Sequence, residues 1–117
     1  MSGSKRRVRI LADEETASFL AEELTGAGET VVDRAPVADP GRLALDLGTV
    51  ESIVALVSAL FIEGPIITRL WERMRSGKTQ KLVFEGPLRK VTIEAKSDLT
   101  QEEIKAAFRL VTGMVEP

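Results

Sequence analysis

The stretch from Ile53 to Ile62 carries no charged side chain, and Glu51 and Glu63 bracket it. Ile53, Leu56, Val57 and Leu60 fall at i, i+3, i+4 and i+7, and Ile67, Leu70, Trp71 and Met74 repeat that spacing. At 3.6 residues per turn the two series are in phase. The spacing therefore predicts one long apolar helix across residues 50–75, bent or briefly interrupted at Glu63-Gly64-Pro65. The uncharged run is well short of the roughly 20 residues that a membrane span requires. Apolar side chains at Ile53-Val54, Leu60-Phe61-Ile62 and Ile66-Ile67 would cover more than one face of such a helix. One face belongs in a core; the excess face is a candidate for self-association or partner binding.

The flanking elements carry clearer local signals. Arg7 to Ala12 alternates in the manner of a half-buried strand. Asp13 is placed to cap a helix whose first turn holds Glu14 and Glu15 and whose stripe is Ala17, Leu20, Ala21 and Leu24, ending at Gly26 or Gly28. Thr30 to Asp33 reads as a strand, and Arg34 to Gly41, with Pro36 and Pro40, as a loop. Residues 43–47 fit either a short strand or a lead-in to the helix. After Gly77 the period changes to two: Lys81–Glu85 and Lys90–Ala95 flank Gly86-Pro87 and form a β-hairpin. Thr100 and Glu103 form a capping-box pattern with Leu99 and Ile104 at the staple positions, opening a helix that Gly113 closes. The fold class expected is α+β: a single domain over residues 1–117 with a small open sheet, order β-α-β-α-β-β-α, and the long, kinked central helix. The first β-α-β would be a right-handed crossover.

Composition narrows function by what is missing. With 117 residues and 44% apolar content, the chain can bury a core unaided. It contains no Cys, His, Tyr or Asn. Zinc and related metals then lack their usual ligands, and His-dependent nucleophilic or acid–base chemistry is excluded. Small enzymes of the acylphosphatase type position water with an Asn beside an Arg, a route also closed. No catalytic residue, metal ligand or cofactor is expected. The lack of Cys and of an apolar leader after the basic Met1–Arg9 segment points to the cytoplasm.

Gly77-Lys78-Thr79 resembles the end of a phosphate-binding loop, but Glu72 stands where the first Gly is needed and a helix precedes rather than follows it. A helix-to-strand turn is the better reading. Acidic residues gather at Asp13, Glu14, Glu15, Glu22, Glu23, Glu29 and Asp33, a pattern that fits a solvated helix face. Basic residues gather at Lys5, Arg6, Arg7 and Arg9, and again at Arg69, Arg73, Arg75, Lys78, Lys81, Arg89 and Lys90. A net charge of −2 and only five Phe and Trp residues argue against nucleic acid.

The opening Val8-Arg9-Ile10, the loop through Pro40-Gly41, the apolar Ser52-Ile53-Val54-Ala55-Leu56, the run Leu70-Trp71-Glu72-Arg73 and the hairpin strand Val91-Thr92-Ile93-Glu94-Ala95 follow one another in this order, before a terminal helix. In this pattern the chain resembles the effector-associated constant component proteins of bacterial conflict and immunity systems. The resemblance implies a non-enzymatic adaptor, encoded with effectors such as proteases and coupling them to a signalling partner. It supplies no catalytic residues. Partner binding is expected on the excess helix face, with Phe61, Ile62, Ile66 and Trp71 as anchors and Arg69 and Arg73 as a basic rim. Self-association is expected as well. The competing reading is a peripheral membrane or anionic-surface module that uses the same helix with the basic patch.

Overall fold

The computed structural model describes residues 5–37, 50–87 and 89–113. In chain order they form β1 (Arg6–Asp13), α1 (Glu14–Gly26), β2 (Thr30–Pro36), β3 (Val50–Val57), α2 (Ala59–Ile62), α3 (Ile66–Arg75), β4 (Lys81–Glu85), β5 (Lys90–Glu94) and α4 (Gln101–Thr112). The strands make one five-stranded antiparallel sheet in the order β2-β3-β1-β4-β5. β1 and β2 both run antiparallel to β3, so they are parallel to each other across α1 with β3 inserted between them. This is a split β-α-β arrangement.

The long central helix is not there. Val50–Val57 is a strand, paired on one side with the whole of β1 and on the other with β2. Helix begins only at Ala59, stops after one turn at Ile62, and resumes at Ile66. The expected order is corrected accordingly: among the described residues the element after β2 is a strand, and two short helices replace one long one. The physical reason is burial on both faces. Glu51, Ile53, Ala55 and Val57 share the face of Ala12, Ile10 and Val8, whereas Val50, Ser52 and Val54 face the other way. All of them except Leu56 are buried. A strand covered on both faces is a continuous apolar run, in which helical spacing occurs by coincidence. The expected break at Glu63-Gly64-Pro65 does divide helices, with Pro65 at the N-cap of α3. The ambiguous residues 43–47 lie outside the described residues.

The strand expected over Thr30 to Asp33 runs on to Pro36, so Arg34 to Pro36, expected to open a loop, are paired with β3 instead. Several other local signals agree with the structure. Asp13 caps α1 by accepting from the Thr16 N–H at 3.1 Å. The capping box at Thr100 and Glu103 is complete, and its flanking Leu99 and Ile104 are both buried in the main core. The hairpin pairs Lys81 with Glu94 through to Glu85 with Lys90. At its tip Gly86 passes so close to α4 that a Cβ there would lie 1.8 Å from the Val111 carbonyl oxygen. No residue with a side chain fits that approach.

All four described helices pack on one face of the sheet. Val8, Ile10, Ile53, Ala55, Val57, Leu82, Phe84 and Ile93 meet Leu20, Leu24, Phe61, Ile67, Leu70, Ile104 and Phe108 in a single core. Phe108 is its hub, with the Phe84 ring at 4.7 Å and the Phe61 ring edge-on at 5.9 Å. A smaller cluster of Leu11, Val50 and Val83, with Val37 against it, lies on the opposite face.

Candidate functional site: an acidic and apolar concavity between α1 and α3

The three-residue interruption between α2 and α3 decides which apolar side chains remain outside. α2 is a single turn, and Phe61 and Ile62 both point into the core, at 3% and 1% exposure. Leu60, their neighbour, is left 82% exposed, the most exposed of the large apolar residues described. It stands on the rim of a concavity of about 350 Å³ formed where the C-terminal turn of α1 faces α2 and the start of α3. That volume is at the lower end of the range for ligand-holding clefts. Phe61, Pro65 and Ile66 line the helical side, and Glu22, Glu23 and Glu29 the other.

The wall is fixed by polar contacts. Glu29 has a side chain only 5% exposed, with Lys5 Nζ at 3.2 Å from Oε1. Its Oε2 accepts from the Ser58 hydroxyl at 2.7 Å. The Lys5 ammonium is close enough for an ion pair but is not aligned as a hydrogen-bond donor, so Oε1 keeps accepting capacity. Arg69 Nη1 donates to Glu23 Oε1 at 2.6 Å across the concavity from α3 to α1. The result is an apolar floor beside a carboxylate-rich edge. Lys5 and Arg69 already pair with Glu29 and Glu23, so this surface suits an apolar side chain, with the exposed Glu22 as the carboxylate for a neighbouring cationic group.

The six residues expected to form a docking face divide in two. Phe61, Ile66 and Arg69 line this concavity, although Phe61 and Ile66 are buried beneath it rather than projecting from it. Ile62 is wholly in the core. Trp71 is half-buried and donates its indole N–H to the Leu99 carbonyl at 2.7 Å, with Arg75 over its ring. Arg73 packs over Phe19 at 4.8 Å and pairs with Glu15 at 3.1 Å. These last three do not come together with the rest. Leu60, Glu22, Glu23 and Glu29 are the additional residues of the site. Helical phase puts Leu60 in one apolar series with Ile53 and does not single it out; ending the strand at Val57 leaves it exposed.

The acidic face of α1 and the basic face of α3 prove to be mutual partners. Glu15 takes Arg73 and Glu23 takes Arg69, which removes two cations from the expected basic patch. Arg9 is likewise paired with Glu85 at 3.6 Å. The Gly77-Lys78-Thr79 segment is a helix-to-strand turn, with Gly77 at a φ of +84°, where a side chain is disfavoured. Thr79 is buried there in a directed chain of hydrogen bonds. Arg73 Nε donates to Thr79 Oγ1 at 3.2 Å, Thr79 donates to Thr16 Oγ1 at 2.8 Å, and Thr16 donates to Asp13 Oδ1 at 2.7 Å. That chain ties the end of α3 to the start of α1 and leaves Thr79 no free hydroxyl proton for a ligand.

Among the described residues no cluster of three or more carboxylates is placed to hold a metal ion. No helix among them is long and apolar enough to cross a membrane. Comparison of the chain with protein-family models, curated proteins and solved structures returns no match.

Proposed function

We propose that the chain is a non-enzymatic, cytoplasmic interaction component of a bacterial defence or signalling system, coupling an effector such as a protease to a partner through protein–protein contacts. The observation that supports this reading best is the exposed Leu60 at the edge of a concavity with an apolar floor and an acidic wall. An isolated exposed leucine is ordinary on a protein surface. One at the edge of a preformed hollow, where Phe61, Pro65 and Ile66 meet Glu22, Glu23 and Glu29, offers a partner apolar contact beside a polar rim. The partner it fits is a protein segment that places an apolar residue next to Lys or Arg. The resemblance of the sequence pattern to effector-associated constant components supports this reading, and so does the lack of His and Cys.

The test is co-purification of the chain with the products of the genes adjacent to its own. Wild type and Val32→Asp, which alters an exposed apolar residue on β2, should carry the same partner in fixed ratio. Leu60→Asp should lose it while keeping the far-ultraviolet spectrum of the folded chain. A complex that survives Leu60→Asp removes the concavity from the interface and this reading with it.

A further inference from the structure

The two edges of the sheet are built differently. β2 is interrupted by a bulge between Val31 and Asp33 and ends at Pro36. Bulges and prolines are among the devices by which edge strands are kept from pairing with another chain. Charged side chains are another, and β5 carries Lys90 and Glu94, which repel a second copy only where like charges meet. It has neither bulge nor proline: Lys90 to Glu94 keeps continuous register with β4. The Gly86 N–H donates to the Arg89 carbonyl, and the Ala95 N–H to the Gln80 carbonyl. Hydrogen-bonded pairs alternate along an antiparallel ladder, so the odd-numbered residues from 89 to 95 direct their backbone groups at β4. The N–H and C=O groups of Lys90, Thr92 and Glu94 therefore point away from the sheet. All three residues are exposed, and among the described residues β5 pairs with β4 alone.

From this edge we infer that the chain forms a two-fold symmetric dimer in which β5 pairs antiparallel with β5 of a second copy, making one continuous sheet. The sequence Lys90-Val91-Thr92-Ile93-Glu94 is self-complementary in that register. With the axis at Thr92, each Thr92 faces the other and exchanges both backbone hydrogen bonds. Lys90 faces Glu94 of the second copy, twice by symmetry. The outward-directed residues of each strand then meet one another, as an antiparallel ladder requires.

The charges already on that face continue the same alternation. Arg9 lies 3.6 Å from Glu85, and Glu85 is opposite Lys90 in the hairpin. Lys81 is opposite Glu94, at 4.0 Å. The dimer extends these into an unbroken row: Arg9, Glu85, Lys90, then Glu94 and Lys81 of the second copy. On the helical face, Val91 meets Ile93 of the second copy, a β-branched cross-strand pair. Behind it a groove lined by Val91, Ile93, Leu99, Ala106, Ala107 and Leu110 runs between β5 and α4. Leu110 is 37% exposed there, and Ala106 leaves α4 short-sided where the second α4 approaches.

Sedimentation equilibrium on the full chain, with circular dichroism of each variant, tests this. Wild type should be a dimer. Lys90→Glu and Glu94→Lys should each, alone, raise the dimer dissociation constant on the order of tenfold or more, because two opposite-charge contacts become two like-charge ones. An equimolar mixture of the two variants should restore dimers, since every new carboxylate then faces a new ammonium. Thr92→Pro should also give a folded monomer, because it removes an outward N–H and none that bonds to β4. A wild type that stays monomeric up to roughly 100 μM overturns the inference. So does a mixture that fails to dimerise, or a folded Thr92→Pro variant that still does. Should Thr92→Pro not fold, the charge-swap mixture decides.

Discussion

Leu60 and Phe61 are adjacent and both apolar, yet they occupy opposite environments, and alanine substitution at each turns that into a measurable difference. Phe61 is 3% exposed, its ring set edge-on to Phe108 at 80°. Truncating a buried phenylalanine costs about 3–5 kcal/mol. Because Phe61 also borders the concavity, water can enter part of the vacated space, so the lower end, about 3 kcal/mol, is expected. Leu60, at 82% exposure, has little burial to lose, and Leu60→Ala should stay within about 0.5 kcal/mol of wild type. Urea denaturation resolves the two, with the single Trp71 as reporter, since it is half-buried and anchored to the Leu99 carbonyl. With a urea slope of about 2 kcal/mol per molar, Phe61→Ala should lower the midpoint by about 1.5 M and Leu60→Ala by about 0.25 M at most. Equal losses, or a silent Phe61→Ala beside a costly Leu60→Ala, would refute the assignment of 61 to the core and 60 to the surface.

Two further outcomes follow from the polar contacts. Thr79→Val keeps shape but deprives Arg73 Nε of its acceptor and Thr16 of its donor, and should cost about 1–3 kcal/mol in the same denaturation assay; no measurable loss would mean the buried hydroxyl chain is dispensable. The Arg109 guanidinium, with Lys105 beside it, holds the Glu63 carboxyl below its ordinary value of 4.5. A depressed carboxylate pKa stabilises the fold above the unfolded value and loses that contribution as pH falls through the folded one. Glu63 should therefore titrate below 4.5 by carbon-detected NMR, move upward in Arg109→Gln, and shift less at high salt. A midpoint at or above 4.5 would show that the pair does not form in solution.

Much of this fold was readable where local chemistry decides it. Asp13, the Thr100 and Glu103 pair, and the turn at Gly86-Pro87 specify their elements through hydrogen bonds within a few residues. β3 was not readable by periodicity, because residues on both of its faces are buried, Ile53, Ala55 and Val57 on the helical side and Val50, Ser52 and Val54 on the other, which erases the alternation that marks a strand. One signal was available: Val50, Ile53, Val54 and Val57 make half of this eight-residue segment β-branched, which favours a strand. The site depended on that segment. Reading residues 53–62 as helix offered Phe61 and Ile62 as exposed anchors and did not single out Leu60, whereas the structure buries the first two and exposes the third. Arg69 was identifiable from its charge beside apolar residues. Its acidic counterpart was not, because Glu23 lies 46 positions away and is brought opposite only when α1 and α3 pack on the same face of the sheet.

The role assigned to Leu60 rests on residues 50–57 being a strand held between two others. Backbone NMR assignment of the chain tests this directly. The account predicts extended-chain carbon shifts from Val50 to Val57, helical shifts beginning at Ala59, and cross-strand contacts of Ile53 with both Ile10 and Arg34. Helical shifts running unbroken from Ile53 into Met74, without those contacts, would contradict it.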